Sequence, residues 1–254
     1  MYIHDPMVYG LITLLLAFLV QWHRKSSAEK LPVRGEVLFV FAHPDDEAMF
    51  FSPLLRYVKR HNIPTHFLCL SNGNYSGLGA VREGELINSA HYFGVASSNV
   101  RIVNHAELQD GLDNVWNTEV IRREVLSCLQ GSSAIQTVVT FDGKGVSSHP
   151  NHIAVYEGVR AAVKSAPPGT VFYTLYSRNL LEKYSGVLSV LSFLLRGRRC
   201  SVCRGFTAII SPTSVFTSFG AMRKHKSQLV WYRYLFLCFS SYSYINEMNE
   251  IIVL

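Results

Sequence analysis

The sequence predicts an α/β fold, in which a mostly parallel sheet is covered by helices on both faces and preceded by one transmembrane helix. Three observations support this prediction. Short apolar runs, typical of strands buried on both faces, alternate with helical segments between residues 37 and 176. A run of 17 uncharged residues lies near the N-terminus. The chain has 254 residues, 48% of them apolar, which is enough for a sizeable core.

The uncharged run at residues 6–22 is interpreted as a retained membrane anchor within residues 1–25. A helix that rises about 1.5 Å per residue would span roughly 25 Å there, which fits the thin membrane of the endoplasmic reticulum. A cleaved signal peptide and a buried soluble helix are the alternatives. Only Asp5 precedes the run, whereas basic residues follow it, so the positive-inside rule places the bulk of the chain in the cytosol. These basic residues are Arg24, Lys25 and Lys30.

Residues 26–35 are polar and predict a linker, so residues 36–254 form the main domain. Its first part alternates between the two kinds of element. Strands are predicted at residues 37–42, 65–70, 100–103, 137–141 and 171–176. Helices are predicted at residues 45–59, 81–93, 115–129 and 153–165, with a kink in the first of them at Pro53. Residues beyond about 180 show no clear pattern.

The composition narrows the class of protein. Charged residues make up 17% of the chain, too few for an acidic disordered protein. The net charge of +6 suits an anionic substrate or a membrane surface, and no basic stripe interleaved with aromatic residues indicates nucleic acid. Five scattered cysteines are no disulfide framework and favour a reducing compartment. Cys200 and Cys203 have no second pair to complete a zinc site and are interpreted as ordinary thiols.

A first polar cluster follows the strand at residues 37–42. It contains His43, Asp45 and Asp46, and imidazole and carboxylate groups are good zinc ligands. His43 and Asp46 are three residues apart, so one turn of chain can bring both to one metal ion, while Asp45 faces elsewhere and can act on a water molecule. The alternative is that the two aspartates merely cap the next helix.

A second polar cluster follows the strand at residues 137–141. Asp142 begins it, and His149, Pro150 and His152 end it, with Pro150 suited to the first position of a helix. His152 would complete a His-Asp-His metal site with the first cluster, and His149 would lie beside the ion. A solvent-exposed pair of histidines is the alternative. Because two such clusters both follow buried strands, the sequence predicts a divalent metal site at the carboxyl edge of the sheet.

Other segments leave the choice between function and structure open. Asn74 and Arg82 are candidate substrate-binding residues near the Gly-rich segment at residues 71–79. Arg82 either clamps an anionic group or pairs with Glu85 on its own helix, and the structural role is favoured. The apolar runs at residues 187–195 and 231–239 fit either a buried helix or contact with a membrane interface.

The motifs FAHPDDEAMFF and VVTFDGKGVSSHPNH, the segment SNGNY and the tail at residues 225–233 resemble one known family. They are similar to the N-acetylglucosaminyl-phosphatidylinositol de-N-acetylases, the PIG-L branch of the LmbE-like amidohydrolases. The similarity extends over nearly the whole chain, anchor included. Two departures are that Pro150 stands between the two histidines, where other members vary, and that Ser148 replaces an expected glycine. Neither departure removes a reactive group.

The resemblance implies a Rossmann-like sheet, a zinc ion and removal of acetate from N-acetylglucosaminyl-phosphatidylinositol. This reaction is an early step of glycosylphosphatidylinositol anchor synthesis on the cytosolic face of the endoplasmic reticulum. His43, Asp46 and His152 would then bind zinc or another divalent metal. Asp45 would be the general base and His149 the acid or oxyanion stabiliser. We expect Asp142 to orient His149 through a hydrogen bond.

Three other functions remain as competing hypotheses. A deacetylase of another N-acetyl sugar would use the same chemistry. A glycolipid-binding subunit without activity would be free to lose the reactive side chains that this chain keeps: Asp45, Asp46 and His149. A phosphoesterase with two metal ions would usually need more carboxylate and histidine ligands than the single set found here.

Overall fold

The computed structural model describes residues 6–28, 30–196 and 204–252. Cys200 and Cys203 lie outside these ranges. The strands are β1 Glu36–Phe41, β2 Thr65–Cys69, β3 Val100–Ile102, β4 Ile135–Phe141, β5 Val171–Leu175, β6 Gly205–Ile209 and β7 Ile245–Glu250. The helices are α1 Pro6–Ala28, α2 Asp46–Phe50, α3 Ser52–Arg60, α4 Gly79–Phe93, α5 Thr118–Gly131, α6 Gly145–Ser148, α7 Pro150–Ala162, α8 Leu180–Lys183, α9 Leu188–Arg196, α10 Thr217–Met222 and α11 Trp231–Phe239.

The described strands form one sheet in the order β3-β2-β1-β4-β5-β7-β6. The first five strands in this order pair in parallel, and β7 runs antiparallel to both β5 and β6. Every residue of β1 from Val37 to Phe41 is buried, as expected for a central strand covered on both faces. The predicted α/β fold with a mostly parallel sheet is therefore confirmed.

The position of β1 beside β4 brings the two polar clusters of the sequence to one place. Val37 pairs with Thr137 and Phe39 with Val139, so both strands end at the same edge of the sheet. The first cluster follows β1 and the second follows β4. Because β2 flanks β1 on its other side, the segment that follows β2 reaches the same edge.

The predicted helices differ in their bounds from the observed ones, and two of the differences have a clear local cause. The helix predicted at residues 45–59 is two helices, which part at Phe51 rather than at Pro53. Pro53 lies in the first turn of α3, where a missing N–H costs nothing and no kink results. The helix predicted from residue 115 begins at Thr118, because the side chain of Asn117 caps it by accepting a hydrogen bond from the Glu119 N–H.

Helix α1 has the length and composition of a membrane span between Met7 and Ser27, with a mean hydropathy of 1.3. Within an apolar stretch of 18 residues in this helix, only 6% is buried against the rest of the chain. Its C-terminal end nevertheless docks on the domain, since the Trp22 indole donates a 2.6 Å hydrogen bond to the Ile210 carbonyl. The helix continues to Ala28, so it extends into the segment predicted to be a linker.

Candidate metal centre and active site

Side chains of the two polar clusters meet at the carboxyl ends of β1 and β4. His43, Asp46 and His152 each offer one potential ligand atom, and these atoms lie within 4.8 Å of one another. Asp46 Oδ1 is 3.2 Å from His152 Nε2, and Asp46 Oδ2 is 3.8 Å from His43 Nδ1. All three side chains are buried. The sequence-based prediction that these residues come together is therefore realised in the fold.

Each imidazole of this cluster has one nitrogen engaged on the side away from Asp46. His43 Nε2 lies 3.1 Å from the Asp110 carboxylate and 2.9 Å from the Asn151 side-chain amide, and His152 Nδ1 lies 3.2 Å from the Gly145 carbonyl. Without an ion, protonated rings can donate to Asp46, whereas a bound cation requires neutral rings that keep a proton only on those outer nitrogens and offer His43 Nδ1 and His152 Nε2 as lone-pair donors. Two imidazoles and one carboxylate, each imidazole bonded outward to an acceptor, match a catalytic zinc site. The residues present therefore fit a divalent cation.

Asp46 is held in place by the turn that leaves β1. Its Oδ2 accepts the backbone N–H groups of Ala42 at 3.1 Å and His43 at 2.9 Å, which leaves Oδ1 facing His152. Burial raises the pKa of this carboxyl, but the charges and hydrogen bonds of His152 and His43 outweigh burial and hold the pKa well below its usual range. Asp46 is thus an ionised carboxylate with one oxygen available to a cation, rather than a simple helix cap.

Asp45 adopts a backbone conformation that is uncommon for residues other than glycine, with φ at 107°. Its side chain makes no capping hydrogen bond to α2. The carboxylate instead lies 3.1 Å from an Arg233 nitrogen and 3.7 Å from an Arg82 nitrogen. Burial raises the pKa of Asp45, and the two arginines lower it by less, so the pKa stays above its usual value. A raised carboxyl pKa suits a general base that works near neutral pH.

His149 lies beside the cluster as the N-terminal cap of α7. Its Nδ1 accepts the Asn151 N–H at 3.3 Å, so a neutral ring carries its proton on Nε2. Its ring centroid is 5.2 Å from that of His43 and 4.7 Å from that of His152. Burial and the charges of these two histidines lower the pKa of His149 to about 4. A neutral imidazole that donates from Nε2 suits an oxyanion stabiliser.

Asp142 does not orient His149, and the predicted hydrogen bond between them is wrong. The Ser177 hydroxyl donates to the Asp142 carboxylate, and the Ser177 N–H does so at 2.7 Å. The Lys144 N–H adds a third bond at 3.0 Å. Ser177 lies beside the Asp142 carboxylate because it follows β5, the strand next to β4. Asp142 also lines a separate cavity of about 770 Å³, and its hydrogen bonds join the loops after β4 and β5.

Sequence reasoning missed Asp110 and assigned no role to Arg233. Asp110 contacts His43 and also lies 3.4 Å from Arg82. Burial raises the Asp110 pKa, but the hydrogen bond and charge of His43 outweigh burial, so the pKa is lowered and the carboxylate is ionised. Arg233 belongs to α11 and reaches Asp45 from a point 188 residues along the chain. No local spacing connects either residue to the motifs, so only the fold reveals them.

Of the two candidate substrate-binding residues, Arg82 lines the cavity and Asn74 does not. Arg82 donates to the carbonyls of Gly73 and Pro44 at 2.8 and 2.7 Å and lines the cavity that contains His43, Asp46 and His152. Glu85, its favoured structural partner, instead accepts hydrogen bonds from Ser227. The structure does not bring the Asn74 side chain into the cavity. Its Oδ1 accepts the Gly79 N–H at 2.8 Å and so stabilises the start of α4.

The cluster opens into a cavity of about 640 Å³, within the range of small-molecule sites. One part of its lining is polar and contains His43, Asp45, Asp46, Arg82, Asp110, His149 and His152. The other part is apolar and aromatic, and comes mainly from α11. It contains Trp231, Tyr232, Leu235, Phe236 and Phe239.

A fully buried acid supports the site from behind. Glu47 Oε1 lies 2.6 Å from both His225 Nε2 and the Ser89 hydroxyl, and Glu47 Oε2 accepts the Asp45 N–H at 3.1 Å. Burial lowers the His225 pKa, but the charge and hydrogen bond of Glu47 outweigh it and the pKa is raised, as expected for an ion pair. Glu47 thereby fixes the backbone of Asp45 and joins α2 to the C-terminal part of the chain.

We expect Glu47→Ala to lower the thermal unfolding midpoint by roughly 10 °C or more, since a broken buried ion pair costs about 3–5 kcal/mol. The measurement is a melting curve of the detergent-solubilised chain. Glu157→Ala, which removes an exposed ion pair with Arg160, is the matched control and should melt near the wild type. Equal midpoints for the two variants would contradict a structural role of Glu47.

The chain is similar to a known family of proteins over most of its length. A model of the GlcNAc-PI de-N-acetylase family, PIG-L, matches residues 38–163, which contain both polar clusters. A probable N-acetylglucosaminyl-phosphatidylinositol de-N-acetylase of Schizosaccharomyces pombe is 39% identical over 244 residues, covering 94% of this chain and 96% of the relative. The N-acetylglucosaminyl-phosphatidylinositol de-N-acetylase of Bos taurus is 36% identical over 233 residues, covering 90% of this chain and 89% of the relative.

Solved structures support the fold. The N,N'-diacetylchitobiose deacetylase of Pyrococcus horikoshii superimposes with a TM-score of 0.63 at 15% identity, covering 91% of this chain and 90% of that one. Similarity at this level of identity concerns the fold alone. The match to relatives over almost their full length goes further, and it shows that this chain belongs to the N-acetylglucosaminyl-phosphatidylinositol de-N-acetylase family.

Proposed function

We propose that this chain hydrolyses the N-acetyl group of N-acetylglucosaminyl-phosphatidylinositol, giving acetate and glucosaminyl-phosphatidylinositol, an early step of glycosylphosphatidylinositol anchor biosynthesis. The observation that carries the proposal is the cluster of His43, Asp46 and His152, with Asp45 and His149 beside it, in a cavity of about 640 Å³. Membership of the de-N-acetylase family supports the same reaction.

The three clustered side chains are proposed to bind one divalent cation, and zinc is the expected one. His43 Nδ1, Asp46 Oδ1 and His152 Nε2 are the donor atoms that the surrounding hydrogen bonds leave available. Such an ion polarises a carbonyl group and lowers the pKa of water to roughly 7. Asp110 and the Gly145 carbonyl fix the tautomers of the two imidazoles and so prepare the site for the ion.

The other side chains are proposed to move the protons. Asp45 accepts a proton from the water that attacks the acetyl carbonyl carbon, and His149 Nε2–H donates a hydrogen bond to the oxygen that becomes negative. The carbon–nitrogen bond then breaks, and the leaving amine needs a proton. His149, with a pKa of about 4, carries no proton to spare at neutral pH, whereas Asp45 has just gained one. Asp45 therefore serves as base and then as acid.

The remaining polar groups are proposed to position the substrate. Arg82 holds Asp45 through its charge and presents a cation to the cavity beside Asp110. Helix α1 is proposed to span the endoplasmic reticulum membrane once, with residues 36–254 as the catalytic domain in the cytosol, because the basic residues lie on the domain side of the helix. The membrane and the glycolipid are thus the proposed partners.

Acetate release by the purified full-length chain in detergent tests the function. We expect acetate and a free amine in equal amounts from N-acetylglucosaminyl-phosphatidylinositol, loss of release with a chelator, and recovery when zinc is added back. Acetate release that a chelator leaves unchanged would contradict the dependence of the reaction on a metal ion. Release only from water-soluble N-acetyl sugars would indicate a deacetylase with another substrate, and no release from either would indicate a binding subunit.

A further inference from the structure

Helix α11 exposes an apolar stripe at the mouth of the cavity. Trp231, Leu235 and Phe239 are spaced four residues apart, so they lie on one side of the helix, and they are 74%, 51% and 56% exposed. All three also line the cavity that contains the candidate metal ligands His43, Asp46 and His152. Large apolar side chains that stay exposed beside a functional cavity mark a surface that another apolar medium covers.

Helices α8 and α9 continue this surface. On α9, Leu188, Leu191 and Leu195 are exposed at helical spacing while Val190 and Phe193 are buried on the opposite side. In the short α8, Leu180 and Leu181 are 72% and 85% exposed. We call these exposed side chains together with the stripe of α11 the apolar rim. Its members are Leu180, Leu181, Leu188, Leu191, Leu195, Trp231, Leu235 and Phe239.

Contacts link the helices that carry the apolar rim to α1. The Lys25 ammonium near the end of α1 lies 5.7 Å from the centre of the Phe193 ring on α9. The turn before α9 packs on the end of α11, since a Cβ atom added at Gly186 would lie 3.4 Å from the Phe239 carbonyl oxygen. The Tyr184 ring beside α8 contacts the Phe236 ring of α11. A chain of contacts therefore leads from the membrane helix to the cavity.

The charges beside the rim fit a phospholipid surface. Arg24 and Lys25 are exposed at the end of α1, and Arg196 is exposed at the end of α9. Cations at this position, next to apolar side chains, meet the phosphate groups of lipid while the apolar groups enter the acyl region. The net charge of the chain, +6, acts in the same direction.

We propose that the apolar rim inserts into the leaflet that α1 enters, so that the cavity opens at the lipid–water boundary. If the proposed function holds, the sugar of the substrate then reaches the candidate metal ligands while its acyl chains stay in the bilayer. The aromatic stripe of α11 forms the wall along which the headgroup enters. The runs at residues 187–195 and 231–239, which the sequence left undecided, each bury one side and present the other to lipid.

Quenching of Trp231 fluorescence tests the insertion without any substrate. The full chain is reconstituted in phosphatidylcholine vesicles whose acyl chains carry bromine near the glycerol end, and Trp231→Phe is subtracted to remove the signals of Trp22 and Trp116. An interfacial helix lies roughly 5–10 Å into the headgroup boundary, so we expect at least about a twofold loss of the Trp231 emission. Gln130→Trp on the exposed side of α5, in the Trp231→Phe background, should not be quenched.

An unquenched Trp231 would overturn the proposal. Absence of quenching together with a doubled mass after cross-linking would assign the rim to a second copy of the chain and would also overturn the proposal.

A kinetic measurement tests side chains of the rim that lie outside the cavity. We expect a triple variant to have an about tenfold higher KM for substrate in vesicles and an unchanged kcat. Its substitutions are Leu188→Ser, Leu191→Ser and Leu195→Ser. The KM for the headgroup without acyl chains should stay the same. Because quenching needs no turnover, an inactive chain with a quenched Trp231 would refute the proposed function alone.

Discussion

Asp45→Asn is expected to lower the rate of acetate release by about 10²- to 10⁴-fold, the usual contribution of a general acid–base group. An amide has almost the shape of a carboxylate but cannot accept the proton of the attacking water or pass one to the leaving amine. Asp45 is not among the three clustered ligand residues, so the bound metal should stay near one ion per chain. The measurement is the turnover number together with the metal content of the same sample.

A carboxylate elsewhere on the surface provides the control for this change. Asp113 is exposed, and Asp113→Asn should keep wild-type turnover. If Asp45→Asn released acetate at a near wild-type rate with its metal bound, the assignment of Asp45 as base would be wrong. Loss of both metal and activity would instead make Asp45 part of the ligand set.

His152→Ala is expected to remove both the metal and the activity. The variant loses the nitrogen that lies 3.2 Å from Asp46 Oδ1, and the two remaining ligand residues cannot hold an ion as tightly. The fall in activity should exceed about 100-fold, the upper end for loss of an outer partner alone. Metal content by elemental analysis and acetate release are measured together.

The ring of His152 also packs against Phe141, with centroids 4.1 Å apart, so a folding control is needed. His152→Gln fills more of the space, and a melting curve shows whether either variant is folded. His91→Ala changes an exposed histidine and should keep metal and activity. A folded His152→Ala that retains one ion per chain would contradict ligation by this residue.

The sequence was sufficient for the parts of the fold that repeat a local pattern. The buried apolar runs of β1 and β4 predicted central strands, and the polar clusters after them predicted one site at the edge of the sheet. The described residues contain both features, with His43 and Asp46 after β1 and His152 after β4. This part of the site is predictable because parallel strands bring their carboxyl ends to one edge.

The remainder of the site depends on contacts that leave no local signal. Arg233 reaches Asp45 across 188 residues, and Asp110 lies in an irregular segment between β3 and α5. Asp142 lies in the expected loop, but its carboxylate accepts hydrogen bonds from Ser177 because β5 is the neighbour of β4. Side-chain pairing of this kind follows from strand order, which spacing along the chain does not reveal.

The C-terminal strands show a similar limit. Strand β7 has the sequence INEMNE, which is too polar to resemble a buried strand. Asn246 is nevertheless fully buried there, because its amide bonds to the Leu54 N–H at 3.1 Å and the Phe50 carbonyl at 2.7 Å. A polar side chain can occupy the core when the backbone of α2 and α3 satisfies it.

The most direct test of the metal site is X-ray absorption at the zinc edge on the purified full-length chain, with zinc content measured on the same sample. We predict one ion per chain, bound by two imidazole nitrogens and carboxylate or water oxygens at about 2.0–2.2 Å, and loss of the ion in a folded His43→Ala. Sulfur ligands at about 2.3 Å, or one ion per chain retained with an unchanged spectrum in a folded His43→Ala, would contradict this prediction.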